Sequence, residues 1–285
     1  METFELGPLC KLRDWIPTER LLFIISKNVN AISLLERNPE IIDWYYLSLN
    51  PNAIYLLEQN LEKIIWSNLS TNPNTIRLLE TMIESEEINW EGLSENPNAI
   101  HLLEQNPDKI EWEHLSENPN AIHLLEQNPE KIDWYFLSKN PNAIHLLEQN
   151  LEKINWAMLS WNPNAIHLLE QNPKKINWEW LSSNYNGLYL LKQNPDKICW
   201  SMLSDNPNAI DLLEQNLDKI NWSVLSSNPN AIHLLEQHQD KINWHNLTLN
   251  PSIFEYDYES MRCRMKPLAE ELWARNYKTN IVRSV

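Results

Sequence analysis

Histidines that recur at one slot are the first candidates for chemistry in this sequence. His101, His123, His145 and His167 follow one another at 22-residue intervals, and His233 occupies the same slot later. Imidazole is a common metal ligand and titrates near neutral pH. A metal needs its ligands within about 2.1 Å, whereas equivalent residues on stacked helices lie about 8–10 Å apart. We therefore expect a surface ladder and no metal site, with a role in pH sensing left open.

Carboxylates at a second repeated slot raise the question of acid–base catalysis. A glycosidase-type pair needs two carboxyl groups in different environments within one cleft. Copies of one slot share one environment, and lysines recur between them, so mixed rows of surface charge are expected. We therefore predict no catalytic residue and no cofactor. The recurring residues are Glu104, Glu126, Glu148 and Glu170, with Lys109, Lys131, Lys153, Lys175, Lys197 and Lys219.

All of these residues belong to one short repeat. The asparagine that begins the motif NPNAI, or its equivalent, occurs eleven times, and every step is 22 residues except one of 24. Ten of the fourteen tryptophans follow the same interval. We number this asparagine as position 1, which places the tryptophan at position 17. The asparagines are Asn28, Asn50, Asn72, Asn96, Asn118, Asn140, Asn162, Asn184, Asn206, Asn228 and Asn250.

The unit at residues 118–139, NPNAIHLLEQNPEKIDWYFLSK, has the pattern of two short helices. Asn118 is a good N-cap, and Pro119 suits the first helical position because its missing N–H costs nothing there. Apolar residues then recur with helical spacing. Pro129 disfavours helix at the preceding residue, so the first helix should end at Asn128.

The second helix of the unit is shorter. Asp133 is placed to cap it, and Trp134 and Leu137 lie three residues apart on one face. Helices this short are unstable alone in water, but stacked copies can bury their apolar stripes against one another. We therefore predict an all-α fold, an α-solenoid of about eleven 22-residue repeats with two short helices each.

The register divides the chain into three segments. Residues 28–250 are the repeat array, residues 1–27 an N-terminal cap, and residues 251–285 a C-terminal capping helix and tail. The closing helix is expected between Met261 and Trp273. Both ends depart from the unit, as capping segments of repeat proteins do.

Two repeated residue types have structural interpretations. Asparagines at positions 1, 3 and 11, such as Asn118, Asn120 and Asn128, are expected to bond backbone groups and bridge adjacent turns. The tryptophans are expected to be core residues, because a buried indole removes about 150–250 Å² from water. A stacking platform for bases or sugars is the alternative.

Charge and composition narrow the range of partners. The formal charge is −16, which suits neither nucleic acid nor an anionic membrane surface. Three separated cysteines indicate no disulfide framework. The N-terminus does not resemble a signal peptide, and no run of residues is long and apolar enough to span a membrane. We expect a soluble protein in the reducing interior of a cell.

The unit LSxNPNAIxLLExNPxKIxW resembles the 22-residue tandem repeats of uncharacterised proteins from giant DNA viruses that infect amoebae. The resemblance covers about residues 28–250. It implies a helical repeat protein made in the host cytoplasm, interacting with host or virion components. It supplies no catalytic residue. The stretch NYNGL at residues 184–188 departs from the motif, which makes the helix start there less regular.

Positions that vary between copies are the candidates for recognition. The two residues after each tryptophan and the residue before each asparagine vary most, and several become aromatic between residues 135 and 189. Aromatic side chains are common anchors in interfaces. Sequence drift that fills half-buried slots with bulky residues is the competing explanation. The candidate partner-binding residues are Tyr135, Phe136, Lys139, Trp161, Trp180, Tyr185 and Tyr189.

The leading functional hypothesis is a non-enzymatic scaffold that binds a protein or peptide along one curved face. The acidic array favours a basic partner. One alternative is an acidic decoy that occupies nucleic-acid-binding proteins. A second is a hydrolase formed by the terminal segments, although no nucleophile–base pair, phosphate loop or metal motif is present in the sequence to support it.

Overall fold

The computed structural model describes residues 9–263 and residue 266. Short helices follow one another through these residues in a regular series, with one small two-stranded sheet. The predicted all-α repeat solenoid is confirmed. Most of the expected closing helix, Met261–Trp273, lies outside the described residues, although residues 258–263 and 266 are helical.

Ten of the eleven repeats contribute two α-helices each, which we call the Ile helix and the Trp helix after the residue at which all but one of them begin. The Ile helices are Ile32–Arg37, Ile54–Glu58, Ile76–Thr81, Ile100–Gln105, Ile122–Gln127, Ile144–Glu148, Ile166–Gln171, Leu188–Gln193, Ile210–Glu214 and Ile232–Gln237. The Trp helices are Trp44–Ser48, Trp66–Leu69, Trp90–Glu95, Trp112–Glu117, Trp134–Lys139, Trp156–Trp161, Trp178–Ser183, Trp200–Leu203, Trp222–Leu225 and Trp244–Leu249.

Single 3₁₀ turns link the two helices in most repeats. These turns are Pro39–Ile41, Leu61–Lys63, Pro107–Lys109, Pro129–Lys131, Leu151–Lys153, Pro173–Lys175, Pro195–Lys197, Leu217–Lys219 and Gln239–Lys241. Four further 3₁₀ segments lie elsewhere, at Thr18–Arg20, Phe23–Lys27, Pro229–Ala231 and Pro251–Ile253. The two strands are β1 at Cys10–Leu12 and β2 at Phe254–Tyr256.

The first helix of each unit begins later than the sequence predicts. The Asn118 side chain accepts a hydrogen bond from the Asn120 backbone N–H at 3.0 Å, which is an Asx turn and not a helix cap. The helix therefore starts at Ile122 instead of Pro119. The same turn forms at residues 184–186, so the departure from the motif there leaves the local geometry unchanged.

The other predicted boundaries are confirmed. The Ile helix ends at Gln127, and Asn128 at position 11 donates back to the Leu124 carbonyl at 2.9 Å. Asp133 caps the Trp helix by accepting from the N–H groups of Tyr135 and Phe136. In repeats with asparagine at this slot, the amide oxygen makes an equivalent bond.

Buried asparagines join the repeats to one another. The Asn118 side-chain amide donates to the carbonyls of Ser94 and Asn96 in the neighbouring repeat, at 2.8 and 3.0 Å. Asn120 donates to the Pro97 carbonyl at 2.8 Å. The predicted asparagine ladder is therefore confirmed at positions 1 and 3, whereas position 11 bonds only its own helix.

A serine at position 21 makes a second connection between repeats. Ser116 donates its hydroxyl hydrogen to the Trp112 carbonyl at 2.7 Å, and its oxygen accepts from the Asp133 N–H of the next repeat at 3.0 Å. Both bonds recur along the array. A buried hydroxyl is thereby satisfied as donor and as acceptor, which removes the cost of burying it.

The hydrophobic core is one continuous cluster of copied residues. Ala121, Leu125 and Leu137 are fully buried, and the equivalent residues of the other repeats behave alike. The tryptophans pack against this cluster but remain half-buried. The expectation that they are core residues therefore holds for one side of each ring, while the other side lies near the surface.

The array closes on itself. Asn28 donates to the carbonyls of Thr248 and Asn250 at 2.9 and 3.0 Å. Asn50 makes the same pair of bonds to Ser26 and Asn28. Because the last repeat contacts the first through the bond pattern that joins all the others, the solenoid is a closed ring of eleven repeats.

The eleventh repeat is assembled from both ends of the chain. Residues 250–256 supply its first part, and residues 13–27 supply its second. The two segments are joined where β1 and β2 pair in antiparallel fashion, with Lys11 opposite Glu255. The terminal segments were expected to cap two ends of an array, but they complete one repeat together.

The single long step of 24 residues does not interrupt the ring. Asn96 still donates to the carbonyls of Ser70 and Asn72, both at 3.0 Å. The additional residues are taken up in the turns between Thr81 and Ile88, after the Ile helix. The ladder therefore tolerates insertions between the two helices of a repeat.

Replacing Asn118 by aspartate should destabilise the protein strongly. Asn118→Asp keeps the oxygen that accepts from Asn120 but removes both donated bonds and places a charge beside two carbonyls. We expect a loss of at least about 3 kcal/mol in the free energy of unfolding in urea, because buried polar groups lose their partners. Asn120→Asp, at an exposed link, should cost less than about 1.5 kcal/mol. Equal losses would contradict the buried ladder as the main connection.

Ring closure can be tested by crosslinking. Cys10 faces Tyr256 across the strand pair, and the flanking bond from the Asp257 N–H to the Leu9 carbonyl makes this a non-hydrogen-bonded pair. Cα atoms in such pairs lie about 4.5 Å apart, within disulfide range. On oxidation, the variant Tyr256→Cys should therefore form a disulfide between Cys10 and the introduced cysteine. Mass spectrometry should detect this crosslink, and the oxidised variant should unfold at a higher temperature.

The neighbouring substitution Glu255→Cys is the matched control, because successive residues of a strand point to opposite faces. It should give little crosslink to Cys10. Burial raises the pKa of the Cys10 thiol, so crosslinking of Tyr256→Cys should accelerate with increasing pH as thiolate forms. Similar crosslinking in both variants would indicate that the two ends are not fixed in this register.

Candidate functional site

The inner side of the ring is the side on which neighbouring repeats lie closest together. Trp helices of successive repeats pack directly against one another, and a single asparagine side chain spans the gap beside them. At the Ile helices the gap between neighbouring repeats is wider, because two long side chains, a histidine from one repeat and a glutamate from the other, are needed to span it. Because repeats in a ring are closest at its inner circumference, the Asn-Pro turns lie on the inside and the histidines outside.

A groove of about 600 Å³ runs along the inner side. We call it the inner groove. Side chains at position 22, immediately before the ladder asparagine, line it in six successive repeats, beside Tyr185 and the prolines of position 2. Position 22 was identified in the sequence as variable. Its residues in the groove are Glu95, Glu117, Lys139, Trp161, Ser183 and Asp205.

Lys139 connects the groove to an aromatic pair. Its ammonium group forms an ion pair with Glu117 at 2.8 Å and lies 4.8 Å from the centre of the Phe136 ring. Tyr135 packs edge-on against Phe136, with ring centres 5.2 Å apart. The structure therefore brings three of the predicted residues, Tyr135, Phe136 and Lys139, into one cluster, of which Lys139 lines the groove.

Trp161 and Tyr185 supply exposed aromatic surface inside the groove. Their exposed fractions are 43% and 48%. Lys139, Trp161 and Tyr185 line the same depression although they come from three different repeats. Large aromatic side chains with one free face are typical anchors for a binding partner.

Asp205 is a carboxylate without a cationic partner within 4.0 Å among the described residues. Burial raises the pKa of its carboxyl group. The other two carboxylates of the groove are paired, Glu117 with Lys139 and Glu95 with His114 at 2.6 Å. The groove therefore contains one partly desolvated negative charge that a bound cation could neutralise.

Besides Tyr135 and Phe136, two further predicted residues lie outside the groove lining. Trp180 occupies the slot of Phe136 two repeats later and is half-buried. Tyr189 occupies the histidine slot, on the outer side, and is 61% exposed. Four lining residues were not among the predicted ones, although all stand at the variable slot before an asparagine, namely Glu95, Glu117, Ser183 and Asp205.

The histidines form the predicted ladder on the outer side. Each Nε2 atom contacts a glutamate of the preceding repeat, at 2.9 Å for the pairs His123–Glu104 and His145–Glu126. His101, His167 and His233 are paired in the same way. In the part of the chain that the structure describes, no group of three or more histidine, cysteine or acidic side chains is placed to hold a metal ion.

Comparisons with known proteins return no match among family models, curated proteins or solved structures. Among the described residues, no helix combines the length and apolar character required to cross a membrane.

Replacing Asp205 by asparagine should stabilise the protein at neutral pH. The folded pKa of Asp205 lies above its ordinary value, so the fold favours the protonated form and the ionised form is destabilising. Asp205→Asn should therefore raise the thermal midpoint at pH 7. Its advantage should shrink as the pH falls through the folded pKa and vanish below the ordinary one. Exposed Glu86→Gln is the control and should change the midpoint little at either pH.

Proposed function

We propose that the protein is a non-enzymatic ring scaffold that binds a basic segment of a partner protein in its inner groove. The observation that carries this proposal is the combination of Trp161, Tyr185 and the unpaired Asp205 in one depression. The copied residues of the repeat build the ring, and the variable residues before each asparagine give one part of it a particular surface.

The chemistry of the groove supports a cationic ligand. Aromatic faces attract ammonium and guanidinium groups by about 0.5–2 kcal/mol each. A carboxylate beside them adds a charge-assisted hydrogen bond. Within the protein, Lys139 already uses both kinds of contact, with Glu117 at 2.8 Å and with the Phe136 ring. Two cationic side chains of a partner segment could make these contacts separately, one at Asp205 and one at Trp161, which stand at the same slot two repeats apart.

The proposed place of action is the host cytoplasm or the virion. It is supported by the resemblance of the 22-residue repeat to repeats in proteins of giant DNA viruses that infect amoebae. A partner from either source would meet a protein with a formal charge of −16. Such a charge steers basic partners towards the ring and increases the rate of association.

The acidic decoy remains the alternative function. A decoy would depend on extended rows of negative charge, whereas five outer glutamates are paired with histidines. Decoy binding would be competed by duplex DNA and lost at high salt, since it would consist mainly of charge contacts. Groove binding would depend on individual aromatic residues.

Binding should be measured with a fluorescein-labelled peptide of alternating arginine and glycine, at about 50 and about 300 mM salt, a range over which pure charge contacts weaken strongly. We expect Trp161→Ala and Asp205→Asn each to weaken binding about 10-fold, the loss of one good contact. Tyr189→Ala, an exposed aromatic residue outside the groove, is the matched control and should bind like the wild type. Equal binding by all variants, with competition by DNA, would favour the decoy.

A further inference from the structure

The repeat that closes the ring lacks the tryptophan found in the other ten. Position 17 is Leu22 there. The register is fixed by hydrogen bonds, since Ser26 accepts from the Asp43 N–H at 2.9 Å as Ser48 accepts from the Ile65 N–H at 3.1 Å. Leu22 therefore stands where the Trp helix of every other repeat places an indole.

The contact partner of that indole is replaced as well. In four repeats a lysine 19 residues after the tryptophan lies 4.5–4.8 Å from the ring centre, as Lys63 does over Trp44. At the closing repeat the equivalent residue is Ile41. A tryptophan–lysine pair has thus become a leucine–isoleucine pair, which is smaller and entirely apolar.

A cavity of about 440 Å³ opens at this point. We call it the seam pocket. Leu21, Leu22, Phe23, Ile25, Leu34 and Ile41 line it, together with three polar residues, Thr18, Glu19 and Asn38. Its volume falls within the range of about 300–1,000 Å³ typical of ligand pockets. Leu22 and Phe23 are 45% and 64% exposed, so the apolar surface continues outside the cavity.

We propose that the seam pocket receives a tryptophan side chain from a partner protein. The ten other repeats show what this fold packs at the same position, because each packs a tryptophan at position 17 against the core cluster to which Ile25 belongs. At the seam Ile41 supplies an apolar wall where four of those repeats place a lysine over the indole, and an aromatic ring fits against it.

The exposed rim indicates that the ring arrives on a polypeptide. A free small molecule is usually enclosed over about 70–90% of its surface, whereas the lining residue Phe23 is 64% exposed and needs a larger partner to cover it. Tryptophan is among the residues that most often anchor protein interfaces in such pockets. This site is separate from the inner groove and does not depend on the function proposed for it.

The probe for this site is the peptide N-acetyl-Gly-(5-fluorotryptophan)-Gly-amide, followed by ¹⁹F NMR. Wild-type protein should bind one peptide per chain. Leu22→Trp, which fills the pocket with the chain's own indole, should weaken binding at least about 10-fold, the loss expected when a hot-spot pocket is blocked. If Leu22→Trp fails to fold by circular dichroism, Leu22→Asp places a charge at this half-exposed lining position and should give the same loss.

A second pocket can be made as a positive control. Trp134→Leu combined with Lys153→Ile copies the seam residues into an ordinary repeat, and this double variant should bind two peptides per chain. Absence of binding by wild-type protein, or undiminished binding by Leu22→Trp, would overturn the proposal. Binding of free 5-fluoroindole without binding of the peptide would overturn the assignment to a partner protein.

Discussion

The hydrogen bonds of the buried ladder asparagines are the interaction on which the rest of the structure depends. Each of these side chains is at most 2% exposed, and its amide spans the boundary between two repeats. Its oxygen shapes the turn of its own repeat while its nitrogen satisfies carbonyls of the neighbour. Because buried carbonyls need donors, the spacing and the orientation of successive repeats are set by one short side chain.

A fixed step between repeats determines whether an array stays open or closes. Eleven copies of this step bring Asn250 beside Asn28 with the same pair of bonds. Closure removes the exposed apolar ends that an open solenoid must cap. It also creates a seam, where segments from near both ends of the chain contribute separate parts and a two-stranded sheet replaces one Ile helix.

Most of the repeat structure could be predicted from the sequence, because the residues that recur in every copy are those that hold the repeats together. The ladder role of the asparagines, the cap at Asp133 and the end of the Ile helix at Gln127 follow from local chemistry. The helix start could not be placed, since asparagine followed by proline suits both a helix cap and an Asx turn. Closure was also hidden, because it depends on small angles that accumulate over eleven repeats.

The candidate groove was only partly visible in the sequence. Variation identified position 22, and hence Lys139 and Trp161, but periodicity alone cannot tell the inner from the outer side of a ring. Tyr189 therefore ranked with Tyr185, although the two lie on opposite sides. The seam pocket gave a different signal, the absence of a copied residue, which becomes readable only once Leu22 is known to complete a repeat.

The residues that differ between repeats therefore distinguish one part of this ring from another. A perfect ring of identical repeats would offer every partner eleven equivalent positions. Here the variable residues make one part of the inner side unlike the rest, and the seam makes one repeat unlike the other ten. If both proposed sites bind, two unequal sites on a closed frame fix the direction in which a partner lies, which a symmetric ring cannot do. The repetition supplies the closed frame, and its interruptions supply the positions that differ.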